Sequence, residues 1–232
     1  MELLHKGWET LPIAKYKEIA GLTAKAVEEM EALAVNAPNY HEQRADIQLN
    51  LDLDIVAILY GSTREEIEGL RCQEVADLCT ATQWINDPIP EQSIPKVLRL
   101  GGFEYTVVVD MEKFTFGQYL DWQTLQANAF DNIPQLMACL LIPKGKSYGK
   151  GYDLGEVVRD INDLMPFALA HSLFRFFAKA QRASVRGSLR SMMKQKTKEM
   201  KRETTAIERE RLATEIEALR RFISHGLKLL PK

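Results

Sequence analysis

No proline interrupts the 64 residues between Pro166 and Pro231. Proline removes a backbone donor and clashes with the preceding turn, so its absence over this length permits an unusually long helix. The cations within the stretch point to one. Arg175, Lys179, Arg182, Arg186, Arg190, Lys194, Lys198 and Arg202 recur at steps of 4, 3, 4, 4, 4, 4 and 4. On an α-helix those steps keep all eight along one side, drifting slowly around the axis over roughly 40 Å. Glu199 is the one acid among them. Like charges at this spacing repel by about a few tenths of a kcal/mol per pair, so a free helix gains nothing from the arrangement. The stripe is therefore read as a face that meets something negative, either phosphate or the acidic surface of a neighbouring subunit. The plainer alternative is a solvated helix whose charges balance the rest of the chain.

Beside the cations, Phe177, Val185, Leu189, Met192, Met193 and Met200 form a modest apolar stripe suited to helix contact. Gly187 costs about 1 kcal/mol without having to break a helix. Thr205-Ala-Ile-Glu208 matches a capping box, in which a helix would start afresh. The segment is thus one long helix or a helical hairpin. Near its end Leu212, Ile216, Leu219 and Ile223, at steps of 4, 3 and 4, have the spacing of a packing seam.

The charge of the whole chain divides at the same place. Residues 1–174 hold 14 basic and 26 acidic residues, a net of −12; residues 175–232 hold 16 and 6, a net of +10. The overall −2 hides an acidic body joined to a basic arm, which is an interaction signature rather than a fold signature. An apolar content of 46% is ordinary for a folded chain and excludes a disordered or collagen-like one. The longest apolar run, Leu136 to Ile142, is far short of the roughly 18 residues a membrane-spanning helix needs. The start Met1-Glu-Leu-Leu-His-Lys lacks the layout of a secretory signal. Cys72, Cys79 and Cys139, odd in number and without a CxxC, suit reduced thiols in a cytoplasm.

Helical patterns are read at 12–33, beginning at Pro12, at about 41–60, at 63–69 behind a Ser62-Thr-Arg-Glu65 capping box, and at about 72–85. Lys96 to Leu100 and Phe103 to Val109 are β-rich runs flanking Gly101-Gly102, a hairpin signal. Helices resume at about 115–128, 131–142 and 154–162, with a basic glycine-rich loop from Pro143 to Gly151. Glu9 to Glu18 and Glu112 to Asp121 share acid, apolar, tyrosine and acid at matching offsets, and similar segments follow each. The parallel admits a degenerate duplication or chance similarity between amphipathic helices. The organisation expected is an N-terminal helical half (1–90), a β-hairpin (91–111), a second helical half (112–178) and a basic helical arm (179–232). The fold class is mainly α: a helical body, one β-hairpin at about 96–109 and a long basic C-terminal helix or helical hairpin.

Catalytic patterns find little support. Gly145-Lys146-Ser147 lacks the earlier glycine of a phosphate-binding loop, since that position is Leu140. His5, His41, His171 and His225 are scattered, with no metal-ligand spacing. Asp52 and Asp54 diverge by about 200° on a helix and cannot act as a pair. The expectation is a protein that is not an enzyme, with no metal, no cofactor and no small-molecule substrate.

Two stretches carry a family resemblance. One runs from Trp8-Glu-Thr-Leu-Pro-Ile-Ala-Lys-Tyr16 through Ile55-Val-Ala-Ile-Leu-Tyr-Gly-Ser-Thr-Arg-Glu-Glu-Ile-Glu-Gly-Leu70 to Thr82-Gln-Trp-Ile85. It resembles tail-assembly chaperones of tailed bacteriophages. The other runs from Phe114-Thr-Phe-Gly-Gln-Tyr-Leu-Asp121 through Leu136-Met-Ala-Cys-Leu-Leu-Ile-Pro143 and Tyr152 to Leu173-Phe-Arg-Phe-Phe177. It resembles virion-module proteins of phages infecting Bacteroidota. The likeness spans residues 8 to about 178 and excludes the basic arm. It implies a phage morphogenesis protein, either a tail-assembly chaperone or a head–tail connector or ring subunit. The implied partners are other phage structural proteins or copies of itself, in the host cytoplasm during assembly and in the virion if structural. A nucleic-acid-binding accessory protein using the basic stripe on DNA is the alternative, and its affinity would fall steeply with salt. No membrane partner is expected.

Overall fold

The structure, a computed structural model, describes residues 2–35, 38–202, 208 and 210–217, without the side chains of 184–189, 201 and 202. It divides into two compact units: Met1–Val108 with Thr115–Leu173, and Val109–Phe114 with Phe174–Lys232. The described residues are mainly helical, with one small antiparallel sheet. No helix among them is long and apolar enough to cross a membrane.

In the first unit α1 (Ile13–Ala32) and α2 (Tyr40–Tyr60) come first. Pro12 stands just outside α1 in extended geometry, not inside its first turn, and its carbonyl accepts from Tyr16 N at 3.0 Å. Gly61 ends α2 in the left-handed conformation, and Ser62 N reaches back to Ala57 O at 2.9 Å. Ser62 is thus part of the helix stop, a Schellman-type closure. The capping box therefore falls one residue later than its sequence match, on Thr63 and Glu66, at the head of α3 (Arg64–Glu68). Helix α4 (Cys72–Ala81) stops at buried Thr82, whose hydroxyl donates to the carbonyls of Leu78 and Cys79, and a 3-10 turn (Gln83–Asn86) follows. Leu53, Val56, Ala57, Tyr60 and Ile67 form a core cluster against which Val75 and Leu78 pack.

The hairpin lies where the glycines place it. Strands β1 (Val97–Leu100) and β2 (Phe103–Val107) pair antiparallel, with Leu100 opposite Phe103. Gly101 and Gly102 both take positive φ, 56° and 85°, the backbone a tight two-residue turn requires. A third strand, β3 (Leu141–Pro143), joins β2 on its other side with Thr106 opposite Ile142. Sequence periodicity assigns Leu141 and Ile142 to a helix; in fact α6 (Ile133–Leu140) ends before them. Pro143 disfavours helix in the residue before it, and the free edge of β2 supplies the alternative partner.

Thr115 caps α5 (Phe116–Leu125) in a capping box with Gln118. Gln118 is buried and also donates through Nε2 to Cys139 O at 2.5 Å, tying α5 to α6. Asp153 caps α7 (Leu154–Leu164). The loop between β3 and α7 is pinned by its tyrosines: Tyr148 Oη donates to Asp121 Oδ2 at 2.8 Å, and Tyr152 Oη accepts from Gly149 N at 3.2 Å.

Helix α8 (Phe167–Arg202) continues through Gly187 without a break. In the second unit Phe177 is fully buried and stacks on Phe114 with ring centroids 5.1 Å apart. Further helical residues lie at 210–217. Lys196 and Glu215 are in direct ion-pair contact, whereas 19 residues of unbroken helix would hold them about 28 Å apart. The chain therefore folds back on itself, and of the two forms open from sequence the arm takes the hairpin.

Candidate functional site

The arm sorts its residues by face. Met193, Lys196, Thr197 and Met200 are half-buried, at helical spacing, while Arg190, Lys194 and Lys198 are exposed. Across the hairpin Leu212 and Ile216 are buried. The returning segment holds its own ion pairs, Arg211 to Glu208 at 3.0 Å and to Glu215 at 3.3 Å. Lys196 and Arg211 hold the carboxyl of Glu215 below its ordinary value, chiefly through their hydrogen bonds. Lys196 thus belongs to the hairpin's interior face. Leu219 and Ile223, the other half of the expected seam, lie outside the described residues.

The stripe of cations is not straight. Each step of four residues advances about 40° around the axis, so from Arg182 to Lys198 the line winds through about 160°. Two groups of three result. Arg175 and Lys179 are exposed and Arg182 half-buried, within about 60° of one another and facing away from buried Phe177. Arg190, Lys194 and Lys198 span about 80° and point roughly a quarter-turn away from the first group. The side chains of Arg186 and Arg202 lie outside the described residues. No described carboxylate of the second unit stands within ion-pair distance of these six described cations. Glu199 projects from the other flank and accepts from Gln195 at 3.1 Å. Exposed Phe176 adjoins the first group.

The acidity of the first unit is also concentrated, a feature the sequence reading missed. Thr23, Ala26 and Met30 face Gln48, Leu51 and Ile55 across a cleft of about 370 Å³, and Lys15 and Glu18 lie beside Ile58 and Gly61. Helices α1 and α2 are therefore antiparallel, and the end of one meets the start of the other. That tip carries exposed Glu28, Glu29, Glu31, Glu42 and Asp46. Lys25 reaches Glu29 at 3.7 Å; no described cation of the first unit stands within ion-pair distance of the other four. Val27, Val35 and Leu49 are exposed in the same segments. The signal was present as Glu28-Glu-Met-Glu31 and Glu42-x-x-x-Asp46, and only the hairpin geometry brings the two together.

Elsewhere the polar groups are built into the scaffold. Glu104 takes Lys144 Nζ at 2.5 Å and Arg99 Nη2 at 2.7 Å, which hold its carboxyl below the ordinary range. Arg64 bridges Asp54 and Glu68 at 2.8 and 2.6 Å. Burial pushes the Cys139 thiol up to about 11, which makes it a poor nucleophile. Among the described residues no three His, Cys, Asp or Glu side chains converge as metal ligands would. In comparisons with known proteins, no family model, no curated protein and no solved structure matches the chain.

Proposed function

We propose that this chain is a morphogenesis protein of a tailed bacteriophage that works through protein–protein contacts rather than catalysis, as a tail-assembly chaperone or as a head–tail connector or ring subunit. The observation that supports the reading most is the separation of charge: an acidic helical body continuous with a helical arm whose exposed cations lack described partners within their own unit. Such an arrangement raises the self-energy of each part and is relieved when a complementary surface covers it. The short motifs at Trp8–Ile85 and Phe114–Phe177 that resemble tail-assembly chaperones and virion-module proteins supply the assembly context. Mass spectrometry of purified particles from the encoding phage, with affinity capture from infected cells, tests it. A connector is present in the particle at fixed stoichiometry. A chaperone is absent from the particle and recovered bound to an unassembled tail protein. Recovery in neither form would end the proposal.

Binding to duplex DNA through the same stripe is the second reading, favoured by the row of exposed Arg and Lys alone. Aromatic side chains are sparse along it, so it would read phosphate rather than stack bases.

A further inference from the structure

We infer that the outward group Arg190, Lys194 and Lys198 docks on the acidic tip of the α1–α2 hairpin of a second copy of this chain, so that copies join head to tail. The inference rests on the assembly reading above and names the partner surface for it. Three observations choose a second copy over other polyanions. The two surfaces are complementary in sign: the tip's five carboxylates outnumber its two cations, Lys25, which reaches Glu29, and exposed Arg44. Glu29 and Glu31 sit in the last turn of α1, which contains no base; carboxylates there oppose the helix dipole, so the fold alone does not favour them. The tip also exposes Val27, Val35 and Leu49, apolar side chains that the methylene stems of the arm's lysines can cover. A nucleic acid offers no use for those apolar side chains. It would also have to approach an arm joined to a body of net −12. The winding of the stripe further limits a straight partner to about three cations at once, which matches the compact end of a helix pair better than a long duplex. Because the contacting surfaces differ, the contact is heterologous and builds a ring or a filament rather than a closed dimer.

Charge exchange between two full-length variants tests this by size-exclusion chromatography with light scattering at low salt. Wild type is expected to gain mass with concentration and to lose it in ~0.5 M NaCl, where screening extends over only a few Å. The arm variant R190E/K194E/K198E and the tip variant E28K/E31K/E42K are each expected to run as monomers. Their equimolar mixture is expected to associate again, because each arm then meets a tip of opposite sign. Wild type that stays monomeric at every concentration overturns the inference, and so does an arm variant that associates like wild type. A mixture that fails to recover overturns it as well. Titration of a fluorescent mixed-sequence duplex is run alongside, and tight duplex binding without self-association assigns the arm to DNA instead. Failure on any of these counts leaves particle composition, and with it the morphogenesis proposal, to be decided separately.

Discussion

Pro12 and Pro166 face each other across an antiparallel bridge. Neither can donate a backbone hydrogen bond, so their successors do: Ile13 N donates to Met165 O at 3.1 Å, and Phe167 N to Leu11 O at 2.7 Å. The starts of α1 and α8, more than 150 residues apart in sequence, are thereby fixed to each other. Aromatic packing seals the joint. Phe167 stacks on Tyr16 with near-parallel rings and lies beside Trp8, which meets Trp84 edge-on at 5.4 Å.

Phe167→Ala should therefore cost more than a typical core truncation. The ring is almost fully buried and touches two aromatic neighbours. Removing it leaves a cavity that Tyr16 and Trp8 cannot both fill, for a loss of about 3–5 kcal/mol. Urea unfolding followed by tryptophan fluorescence measures it. A loss under about 1 kcal/mol would show that the joint is not part of the cooperative core.

At the β1–β2 turn two adjacent glycines should respond differently to alanine. Gly102 has open space where a Cβ would stand, so Gly102→Ala carries the cost of left-handed backbone alone, about 1–2 kcal/mol. A Cβ on Gly101 would also stand 3.1 Å from Leu164 Cδ1 and 3.4 Å from Asp160 Oδ2, so Gly101→Ala should cost more. Paired thermal melts rank the two. The reverse order would mean that the turn relaxes to another type.

The same turn shows what was legible in the sequence. Gly101-Gly102 between β-rich runs specifies a local hairpin, and local signals of this kind sufficed for most helices as well. Non-local choices were not legible. Leu141 and Ile142 have helical context on one side; Pro143 disfavours helix just before it, but the pairing that makes them strand comes from the exposed edge of β2. The Pro12–Pro166 bridge leaves no periodic trace. At the candidate site the spacing of the cations revealed the stripe, but its winding into two groups follows from summing a 40° offset over many steps. The acidic tip needed the antiparallel packing of α1 on α2, which no local pattern in either helix records.

Tyr105 should make the fold sensitive to alkali. Burial pushes its hydroxyl up to about 12, and the Asp160 carboxylate that accepts its hydrogen bond at 3.2 Å adds to the rise. The unfolded chain releases this proton near pH ~10, while the folded chain still holds it, so the folded state binds more protons in between. Its contribution is complete below pH ~10 and is lost as pH rises toward about 12. Tyr105→Phe should lose about 0.5–1.5 kcal/mol at neutral pH with the hydrogen bond, yet decline less steeply above pH ~10. Urea midpoints at a series of pH values give both slopes. Parallel slopes for wild type and variant would exclude Tyr105 as the cause.

In the arm, stability should depend on the buried pair Leu212 and Ile216 more than on its charges. Ile216→Ala removes a nearly fully buried side chain from the returning segment, at about 2–4 kcal/mol if the hairpin cannot collapse onto the gap. Glu215→Gln should weaken the same contact less, because the Lys196 and Arg211 side chains it pairs with are partly exposed. Hydrogen exchange read by mass spectrometry separates this from a global effect. Amides at Met193–Met200 should exchange faster in the Ile216 variant, while those of Leu53–Tyr60 in the core of the first unit keep their wild-type rates. Unchanged exchange at Met193–Met200 would mean that α8 holds its helix without the returning segment. Its long row of like charges would then have to be offset by something other than the hairpin.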